Sequence, residues 1–278
     1  MSEHMQDKVI IVTGAASGFG RLISQKAAAL GARLVCADLP GTTLADTVES
    51  IVAAGGSAIA GEADVTRLDQ MEQLRDRALE RFGVIDVMVN NAGVMPLAFF
   101  ADHAAARDAW HRCIDVNIKG VLNGIIAVHD TMIAQGRGQV INLSSIYGNF
   151  PVAGAGVYGA SKAAVDFLSA SLRVESQGRI KVTNVKPTGV PGTALAGGVI
   201  NPAAVVGIVG HQAGTYGAQM EAWAAGQLPA AETDPEHISY RVLDPELLAD
   251  QVIHVIDQPW GVSISEITVR ASGDAYLL

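Results

Sequence analysis

Tyr158 and Lys162 stand four residues apart in the sequence, a spacing that suits proton transfer. Positions i and i+4 lie on one face of a helix, so the ammonium group of Lys162 can lie beside the Tyr158 hydroxyl. A phenol has a pKa near ~10 in water, and an adjacent positive charge lowers that pKa by stabilising the phenolate. Ser145, thirteen residues before Tyr158, follows an apolar run that predicts a strand. A lone pair of this kind is more often an ordinary surface tyrosine and lysine, so the surrounding motifs decide whether a proton-transfer site exists.

A glycine-rich turn lies near the start of the chain, between a β-branched run at 8–13 and an alanine-rich stretch that reaches about Leu30. In a strand, turn and helix of this kind, Gly14 permits the tight turn, Gly18 lets the backbone approach a pyrophosphate, and Gly20 allows the helix to pack closely on the strand. The first turn of the helix also presents free N–H groups and a positive dipole end to an anion. The sequence therefore predicts a dinucleotide phosphate site.

A carboxylate, Asp38, ends the second predicted strand, eighteen residues after the last glycine of the turn. This is where a dinucleotide-binding fold places an acceptor for the ribose hydroxyls. A carboxylate accepts from a free 2′-hydroxyl and repels a 2′-phosphate, so the sequence predicts NAD as the cofactor. The neighbouring Ser17 and Leu39 cannot neutralise a phosphate, whereas Arg21 and Arg33 keep NADP open as the alternative.

The chain has 278 residues, of which 49% are hydrophobic. That length suits one well-buried domain over residues 1–278 and is too short for two full-sized ones. Apolar runs alternate with helical stretches, which predicts right-handed crossovers and an α/β fold: a single Rossmann-type, doubly wound parallel sheet of about seven strands with helices on both faces. The predicted strands are 8–13, 33–38, 57–62, 84–90, 138–144, 180–186 and 263–269, and the predicted helices are 18–30, 43–54, 67–82, 103–135, 158–177 and 245–257.

Five motifs in order along the chain carry a family resemblance: T-G-x-x-x-G-x-G at 13–20, N-N-A-G at 90–93, Ser145, Tyr158 and Lys162. Together they resemble the short-chain dehydrogenase/reductase family, in its short, non-extended branch, over nearly the whole chain. The resemblance implies that Tyr158 is the general acid/base and that Lys162 lowers its pKa and holds the nicotinamide ribose. It further implies that Ser145 hydrogen-bonds the reacting oxygen.

The same resemblance gives Asn117 the task of anchoring a water in a proton relay. Taken alone, Asn117 would instead be a helix-interior asparagine that bonds its own backbone. Ser144 remains the alternative to Ser145, because only the thirteen-residue spacing to Tyr158 favours Ser145. The implied catalytic set is Asn117, Ser145, Tyr158 and Lys162.

Further cofactor contacts are implied by the resemblance. Asp64 and Val65 resemble the family's adenine contact, with a turn-capping aspartate as the alternative reading. After the strand at 180–186 the chain departs from the family's P-G-x-V-x-T pattern, because Thr188 takes the glycine's place and Thr193 comes one position late. That departure weakly resembles a branch of hydroxy-acid dehydrogenases. The implied cofactor-binding residues are Gly14, Ser17, Gly18, Phe19, Gly20, Asp38, Leu39, Asp64, Val65, Asn91, Ala92, Gly93, Tyr158, Lys162, Pro187, Thr188, Val190 and Thr193.

The least regular segment, at about 193–241, is predicted to be a substrate lid, because its first half is nearly free of charge and rich in alanine, valine and glycine. A subunit contact or a core helix is the alternative. Exclusion of water by such a lid assists hydride transfer. The pocket should be mostly uncharged and should suit a small-molecule secondary alcohol or ketone. Its predicted residues are Met95, Ser145, Tyr147, Phe150, Val152 and Tyr158.

Two function classes are consistent with these motifs. An NAD-dependent alcohol dehydrogenase/ketoreductase requires the tyrosine, the lysine, the serine and the glycine-rich turn together, and all are present. A catalytically silent dinucleotide-binding regulator or scaffold would have no need of the proton-transfer set. A hydroxy-acid dehydrogenase of the same family is a further alternative.

The formal net charge of −9 argues against nucleic acid or an anionic membrane as a partner. A polar first stretch, with no apolar run long enough to span a bilayer, predicts a cytoplasmic protein. The seven histidines lack metal-ligand spacing, so no metal is predicted. The resemblance implies a homotetramer or homodimer that pairs through the helices at about 103–135 and 158–177.

Overall fold

The computed structural model describes residues 4–191 and 194–277. Within these residues, seven parallel strands form one sheet in the order β3-β2-β1-β4-β5-β6-β7. The strands are β1 Val9–Thr13, β2 Arg33–Asp38, β3 Ser57–Glu62, β4 Val87–Asn90, β5 Gly138–Leu143, β6 Ile180–Pro187 and β7 Glu266–Val269. β1 and β4 are buried along their whole length, which explains why their sequences are continuous apolar runs without alternation. The predicted doubly wound α/β sheet is confirmed.

Helices pack on both faces of the sheet, with α1, α2 and α10 on one face and α3, α5 and α6 on the other. The helices are α1 Gly18–Ala29, α2 Leu44–Ala53, α3 Leu68–Phe82, α4 His103–Ile114, α5 Gly120–Gln135, α6 Gly156–Glu175, α7 Val206–Val209, α8 Ala213–Ala224, α9 Ala230–Thr233 and α10 Pro245–Ile256. Short 3₁₀ turns lie at Phe100–Asp102, Ile146–Gly148, Ala194–Gly198, Pro202–Val205 and Gly210–Gln212.

Several boundaries differ from the sequence prediction, and β7 starts at Glu266, three residues later than predicted. Two of the differences have a visible cause. The helix expected at 103–135 contains a π-helical turn, Asp115–Lys119, which joins α4 to α5. β4 starts at Val87, three residues later than predicted, and just before it the carboxylate of Asp86 accepts from the Val9 N–H at 3.0 Å in place of a main-chain carbonyl. Both differences arise from side-chain and backbone hydrogen bonding that hydrophobic patterning does not report.

The sheet reverses its winding direction between β1 and β4, which are adjacent although β2 and β3 come between them in sequence. A sheet wound in this way opens a crevice at the carboxyl ends of those two strands. The glycine-rich turn follows β1, and the N-N-A-G motif includes the last residue of β4. The sheet topology therefore brings two separate sequence motifs to the same crevice.

The segment 194–241 consists of short helical pieces and lies over this end of the sheet. Ala204, Ile208 and Val209 are buried in an apolar cluster that also contains Tyr147 and Tyr158. This part of the segment is therefore packed beside Tyr158. Within residues 4–191 and 194–277, no helix combines the length and the apolar character needed to cross a bilayer.

Candidate active site

Tyr158 and Lys162 lie side by side on α6, as their spacing predicts. The Nζ atom of Lys162 lies 5.8 Å from the centroid of the Tyr158 ring, and the two residues are 6% and 3% exposed, respectively. The Lys162 ammonium also donates to the carbonyl oxygen of Leu143, the last residue of β5, at 2.6 Å. This hydrogen bond fixes the lysine against the carboxyl end of the sheet.

Burial controls the protonation of both groups. It raises the pKa of Tyr158 above its usual range, and a hydrogen bond with Ser145 acts in the opposite direction. Burial lowers the pKa of Lys162 to about 8, against the Cys113 thiol and the Asp166 carboxylate, which act to raise it. Desolvation of the phenolate outweighs the Ser145 hydrogen bond, so the net pKa shift of Tyr158 is upward, and the lowering of that pKa by Lys162 stays a prediction.

Ser145 and Ser144 take different roles after β5. The Ser145 hydroxyl accepts from the Tyr147 N–H at 3.3 Å, at the start of a 3₁₀ turn, and it is the serine whose hydrogen bond affects the Tyr158 pKa. The Ser144 hydroxyl instead donates to the main-chain oxygen of Lys162 at 3.3 Å. Both serines line the same cleft, but the interaction with Tyr158 favours Ser145 over Ser144 as the serine expected to hydrogen-bond the reacting oxygen.

Asn117 lies in the π-helical turn and is fully buried. Its side-chain oxygen accepts from the Val94 N–H at 2.9 Å, and its amide donates to the Val94 oxygen at 2.9 Å and to the Ser161 hydroxyl at 3.0 Å. The side chain thus clamps the loop after β4 to α6. A Cβ on Gly93 would lie 3.4 Å from Asn117 Oδ1 and 3.7 Å from Lys162 Nζ, which are ordinary van der Waals contacts, so the loop passes close to the lysine without requiring glycine.

The glycine-rich turn has the geometry of a phosphate cradle. Gly14 and Gly18 have φ values of +68° and +51°, in the left-handed region that favours glycine. A Cβ on Gly20 would meet the Gly14 oxygen at 2.1 Å, so Gly20 packs helix α1 against the turn. A Cβ on Gly18 would meet nothing within 4 Å, because this position faces the open cleft. These observations fit a backbone that must admit a pyrophosphate.

Asp38 points back towards the glycine-rich turn. One carboxylate oxygen accepts from the Ala16 N–H at 2.9 Å, and the other accepts from the Leu39 N–H at 2.8 Å. The two cations that could have bound a 2′-phosphate have other partners. Arg21 donates to the hydroxyls of Thr47 and Thr43 at 3.0 and 2.8 Å, and Arg33 forms an ion pair with Asp7.

Hydrogen bonds also fix the two loops on either side of the glycine-rich turn. The Oδ1 atom of Asp64 accepts from the N–H and the hydroxyl of Thr66 at 2.9 and 2.8 Å, so this aspartate does cap a turn. The amide of Asn91 donates to the Thr13 oxygen at 2.8 Å. Asn90 bonds Asn142 across β4 and β5 at 2.8 Å and therefore ties the central strands together.

A buried hydroxyl without a partner lies at the nicotinamide end of the expected cofactor path. The Oγ1 atom of Thr188 is buried and makes no hydrogen bond among the described residues, although Thr188 lines the cleft. Its main-chain N–H donates to the Val269 oxygen at 3.1 Å, which fixes the residue beside β7. A buried hydroxyl of this kind fits a ligand amide. Thr193, the other threonine expected here, lies outside the described residues.

The cleft that joins these parts has a volume of about 980 Å³. Gly20, Asn117, Phe150 and Val152 do not line it. Gly20 and Asn117 are buried, Phe150 is 39% exposed, and Val152 packs against the segment 194–241. The predicted site residues that line the cleft are Gly14, Ser17, Gly18, Phe19, Asp38, Leu39, Asp64, Val65, Asn91, Ala92, Gly93, Met95, Ser145, Tyr147, Tyr158, Lys162, Pro187, Thr188 and Val190.

Sequence reasoning missed two sets of cleft residues. The first is a polar face of α4 that continues into the π-helical turn, with Asp108, Arg112 and Asp115 at helical spacing. That spacing, just before Asn117, could have indicated the face. The second set is Tyr216 and Tyr276, which are sixty residues apart. No local pattern connects two such distant residues. Within the part of the chain that the structure describes, no three His, Cys, Asp or Glu side chains group as metal ligands.

A crevice at the winding reversal, a glycine cradle and a buried tyrosine–lysine pair define a dinucleotide-dependent oxidoreductase fold. The short chain dehydrogenase family matches residues 8–202, and the chain belongs to that family. An uncharacterized oxidoreductase of Listeria innocua is 35% identical over 95% of this chain and 96% of its own length.

Two solved structures have the same fold over most of their length. A short chain dehydrogenase/reductase from Burkholderia phymatum in complex with NAD has a TM-score of 0.74 and 29% identity, covering 95% of this chain and 89% of that chain. An alcohol dehydrogenase from the archaeon Thermococcus sibiricus, complexed with 5-hydroxy-NADP, has a TM-score of 0.76 and 21% identity, covering 96% of this chain and 98% of that chain. At that identity the second comparison supports the fold alone.

Proposed function

We propose that this oxidoreductase interconverts a secondary alcohol and a ketone with NAD as cofactor, and that Tyr158 is its general acid/base. The observation that carries the proposal is the meeting of Tyr158, Lys162 and Ser145 with the glycine-rich turn in one cleft. A proton-transfer group that shares a cleft with a dinucleotide cradle suits coupled transfer of a proton and a hydride.

Each catalytic residue has a task that suits its chemistry. When bound, the nicotinamide accepts or supplies the hydride. The Tyr158 hydroxyl takes the proton from the substrate alcohol or returns it to the ketone oxygen. The Ser145 hydroxyl hydrogen-bonds that same oxygen as its charge changes. Lys162 places positive charge beside the Tyr158 phenolate that exists after the tyrosine has given up its proton. Asn117 holds the π-helical turn, and a water relay to the lysine would start from that turn.

The cofactor proposal depends on three features of this chain. The open side of Gly18 leaves room for a pyrophosphate, and the unpartnered Thr188 hydroxyl offers a hydrogen bond to the nicotinamide amide. Asp38 favours NAD because its charge repels a 2′-phosphate, and Arg21 and Arg33 are engaged elsewhere. The Burkholderia protein was solved in complex with NAD, and the Thermococcus protein in complex with 5-hydroxy-NADP.

Substrate would bind in the part of the cleft beyond Tyr158, where Met95, Tyr147 and Leu97 are mostly apolar neighbours. Arg112 also lines the cleft, which supports a hydroxy-acid dehydrogenase as the second candidate. The two candidates differ in whether the substrate carries a carboxylate for the guanidinium to bind.

The experiment is a panel of cyclic, aromatic and aliphatic secondary alcohols, with 3-hydroxy acids included, assayed by NADH formation. We expect turnover of uncharged alcohols and a loss of at least about 100-fold in kcat for Tyr158→Phe, with the Kd for NADH unchanged. Turnover confined to hydroxy acids, and lost in Arg112→Met, would establish the second candidate. Binding of NADH without turnover of any compound would favour a silent dinucleotide-binding protein.

We also propose that two copies of the chain pair through α5 and α6. α6 carries an outward apolar stripe at spacings of three and four residues, and α5 adds exposed Leu122 and Ile126. An exposed apolar stripe of this extent is typical of a subunit contact. The stripe consists of Ala160, Ala163, Phe167, Ala170 and Val174.

A further inference from the structure

Tyr216 on α8 and Tyr276 after β7 form a partition between two spaces. Their hydroxyl oxygens are 3.1 Å apart, and their rings meet edge to face with centroids separated by 5.8 Å. Both residues line the large cleft, and both also line a second cavity of about 20 Å³. A space of that size holds about one water. The tyrosine pair is therefore the end wall of the cleft.

The fold holds this wall in place from both sides. A Cβ on Gly189 would lie 1.6 Å from the Tyr276 hydroxyl, so only glycine at 189 leaves room for the tyrosine. The Arg270 guanidinium donates to the Tyr276 carbonyl oxygen at 2.9 Å and also pairs with Asp274. The wall thus joins a residue of the segment 194–241 to a fixed loop after β7.

The hydroxyl pair has more hydrogen-bonding capacity than it uses. Two phenols carry two O–H donors, and one donor satisfies the bond between them. The second O–H has no acceptor among residues 4–191 and 194–277. Tyr147 interacts electrostatically with both Tyr216 and Tyr276, and its own ring packs edge to face on Tyr158 at 5.5 Å. A largely buried donor that lacks an acceptor favours a ligand that supplies one.

On the cleft side, the side chains that pack around the tyrosine pair are uncharged, whereas the small cavity on the other side is also lined by Arg241 and Asp274. Met220 and Pro191 line both spaces, and Val199, Val205 and Tyr147 pack in the same cluster as the tyrosine pair. A carboxylate bound in the cleft among these apolar side chains would therefore contact no positively charged side chain of that cluster. The chemistry of the wall therefore suits a neutral oxygen at the end of an otherwise apolar ligand.

We propose that Tyr216 and Tyr276 determine substrate specificity by donating a hydrogen bond to a neutral acceptor oxygen at the end of the substrate remote from the reacting carbinol. This inference rests on the proposed alcohol dehydrogenase function. The substrate class is an uncharged secondary alcohol whose far end carries an ether, carbonyl or hydroxyl oxygen, and the tyrosine wall sets its length.

The test compares 2-alkanols of increasing length with ether analogues of equal length, in which one distal methylene is replaced by oxygen. For each pair, kcat/KM is measured with NAD, and the Kd of the corresponding ketone is measured by calorimetry. We expect the ether to be preferred at one chain length, and Tyr276→Phe and Tyr216→Phe to reduce that preference about tenfold. In both variants the loss in kcat/KM should be larger for the ether than for the plain alkanol of equal length.

Tyr240→Phe is the matched control, because Tyr240 is a buried tyrosine outside the cleft whose oxygen accepts from the Asp244 N–H at 2.8 Å. Its ether preference should equal that of the wild type. Equal loss for ethers and alkanols in the wall variants, or no ether preference at any length, overturns the proposal. If the ether ketones bind selectively but no alcohol is oxidised, the specificity assignment stands and the proposed activity falls; if neither series binds, both fall.

Discussion

The Lys162 ammonium lies 5.8 Å from the centre of the Tyr158 ring and is bonded at the same time to the Leu143 carbonyl oxygen at 2.6 Å. The lysine is thus fixed between α6 and the carboxyl end of the sheet. Its position makes a charged group available to the tyrosine, but burial makes that charge costly. The effect of the lysine charge on Tyr158 and the free-energy cost of burying that charge can be measured in separate experiments.

Lys162 should make stability depend on pH above neutrality. Burial lowers its pKa to about 8, whereas an unfolded lysine titrates near ~10.4. Between these values the unfolded chain binds more protons than the folded one, so stability rises with pH. The free energy of unfolding of the wild type, relative to Lys162→Met, should therefore increase by about 2–3 kcal/mol from pH 7 to pH 10, measured by urea denaturation. A difference that stays constant over this range would contradict the buried, charged lysine.

Asp38 should control the choice between the two nicotinamide cofactors. Asp38→Asn keeps an oxygen that can accept from the Ala16 or Leu39 N–H, yet it removes the charge. We expect the Kd for NADH to rise several-fold and the Kd for NADPH to fall, since repulsion of the 2′-phosphate is lost. Fluorescence titration of both cofactors measures the ratio. An unchanged ratio of the two Kd values would defeat the assignment to Asp38.

Gly18, in the glycine-rich turn, can be compared with Gly136, the residue that follows α5, to test whether the turn contacts the cofactor. Both have positive φ, +51° and +72°, and a Cβ on either would meet nothing within 4 Å. An alanine at each position should therefore cost a similar amount of stability, about 1 kcal/mol, from backbone strain alone. Only Gly18→Ala places its methyl group in the cleft, so only it should weaken NADH binding, by about tenfold or more. Equal NADH affinity in the two variants would show that the turn does not contact the cofactor.

The sequence predicts the sheet and the cradle well because both depend on local patterns. β1, the glycines at 14, 18 and 20, and Asp38 form one strand–turn–helix–strand unit whose chemistry is visible in the thirty residues from Val9 to Asp38. The end wall of the cleft is different. Tyr216 and Tyr276 meet only through the folding of the segment 194–241 over the sheet, and the exclusion of Phe150 from the cleft has the same origin. Long-range packing of irregular segments leaves no periodic signal.

The Asn117 side chain makes contacts that the sequence did not predict, and its part in a water relay stays a prediction. The sequence indicated a water relay or a residue bonding its own backbone, whereas the side chain spans from the π-helical turn to Val94. Asn117→Ala would leave the Val94 N–H and carbonyl without those partners, so we expect a loss of about 2–4 kcal/mol in the free energy of unfolding.

Asn123→Ala is the control for this prediction, because within residues 4–191 and 194–277 that amide makes a single hydrogen bond, to the Val65 oxygen at 2.8 Å. It should cost about 1 kcal/mol in the same urea denaturation experiment. Equal effects of the two variants would show that the two bonds to Val94 add nothing to stability.

Phe167 lies at the centre of the apolar stripe on α6, so subunit pairing should be most sensitive to a substitution at this residue. Phe167 is 76% exposed, and Val174, two helical turns further along α6, is 77% exposed. Phe167→Asp introduces a charge that would be desolvated on association, so we expect sedimentation at dilute concentration to shift from the oligomer to the monomer, with the Kd for assembly raised at least about 100-fold. Val52→Asp on α2 is the control, because Val52 is an exposed apolar residue, at 53%, outside the stripe. If both variants sediment like the wild type, the stripe is not the subunit contact; if both dissociate, charge and not location is responsible.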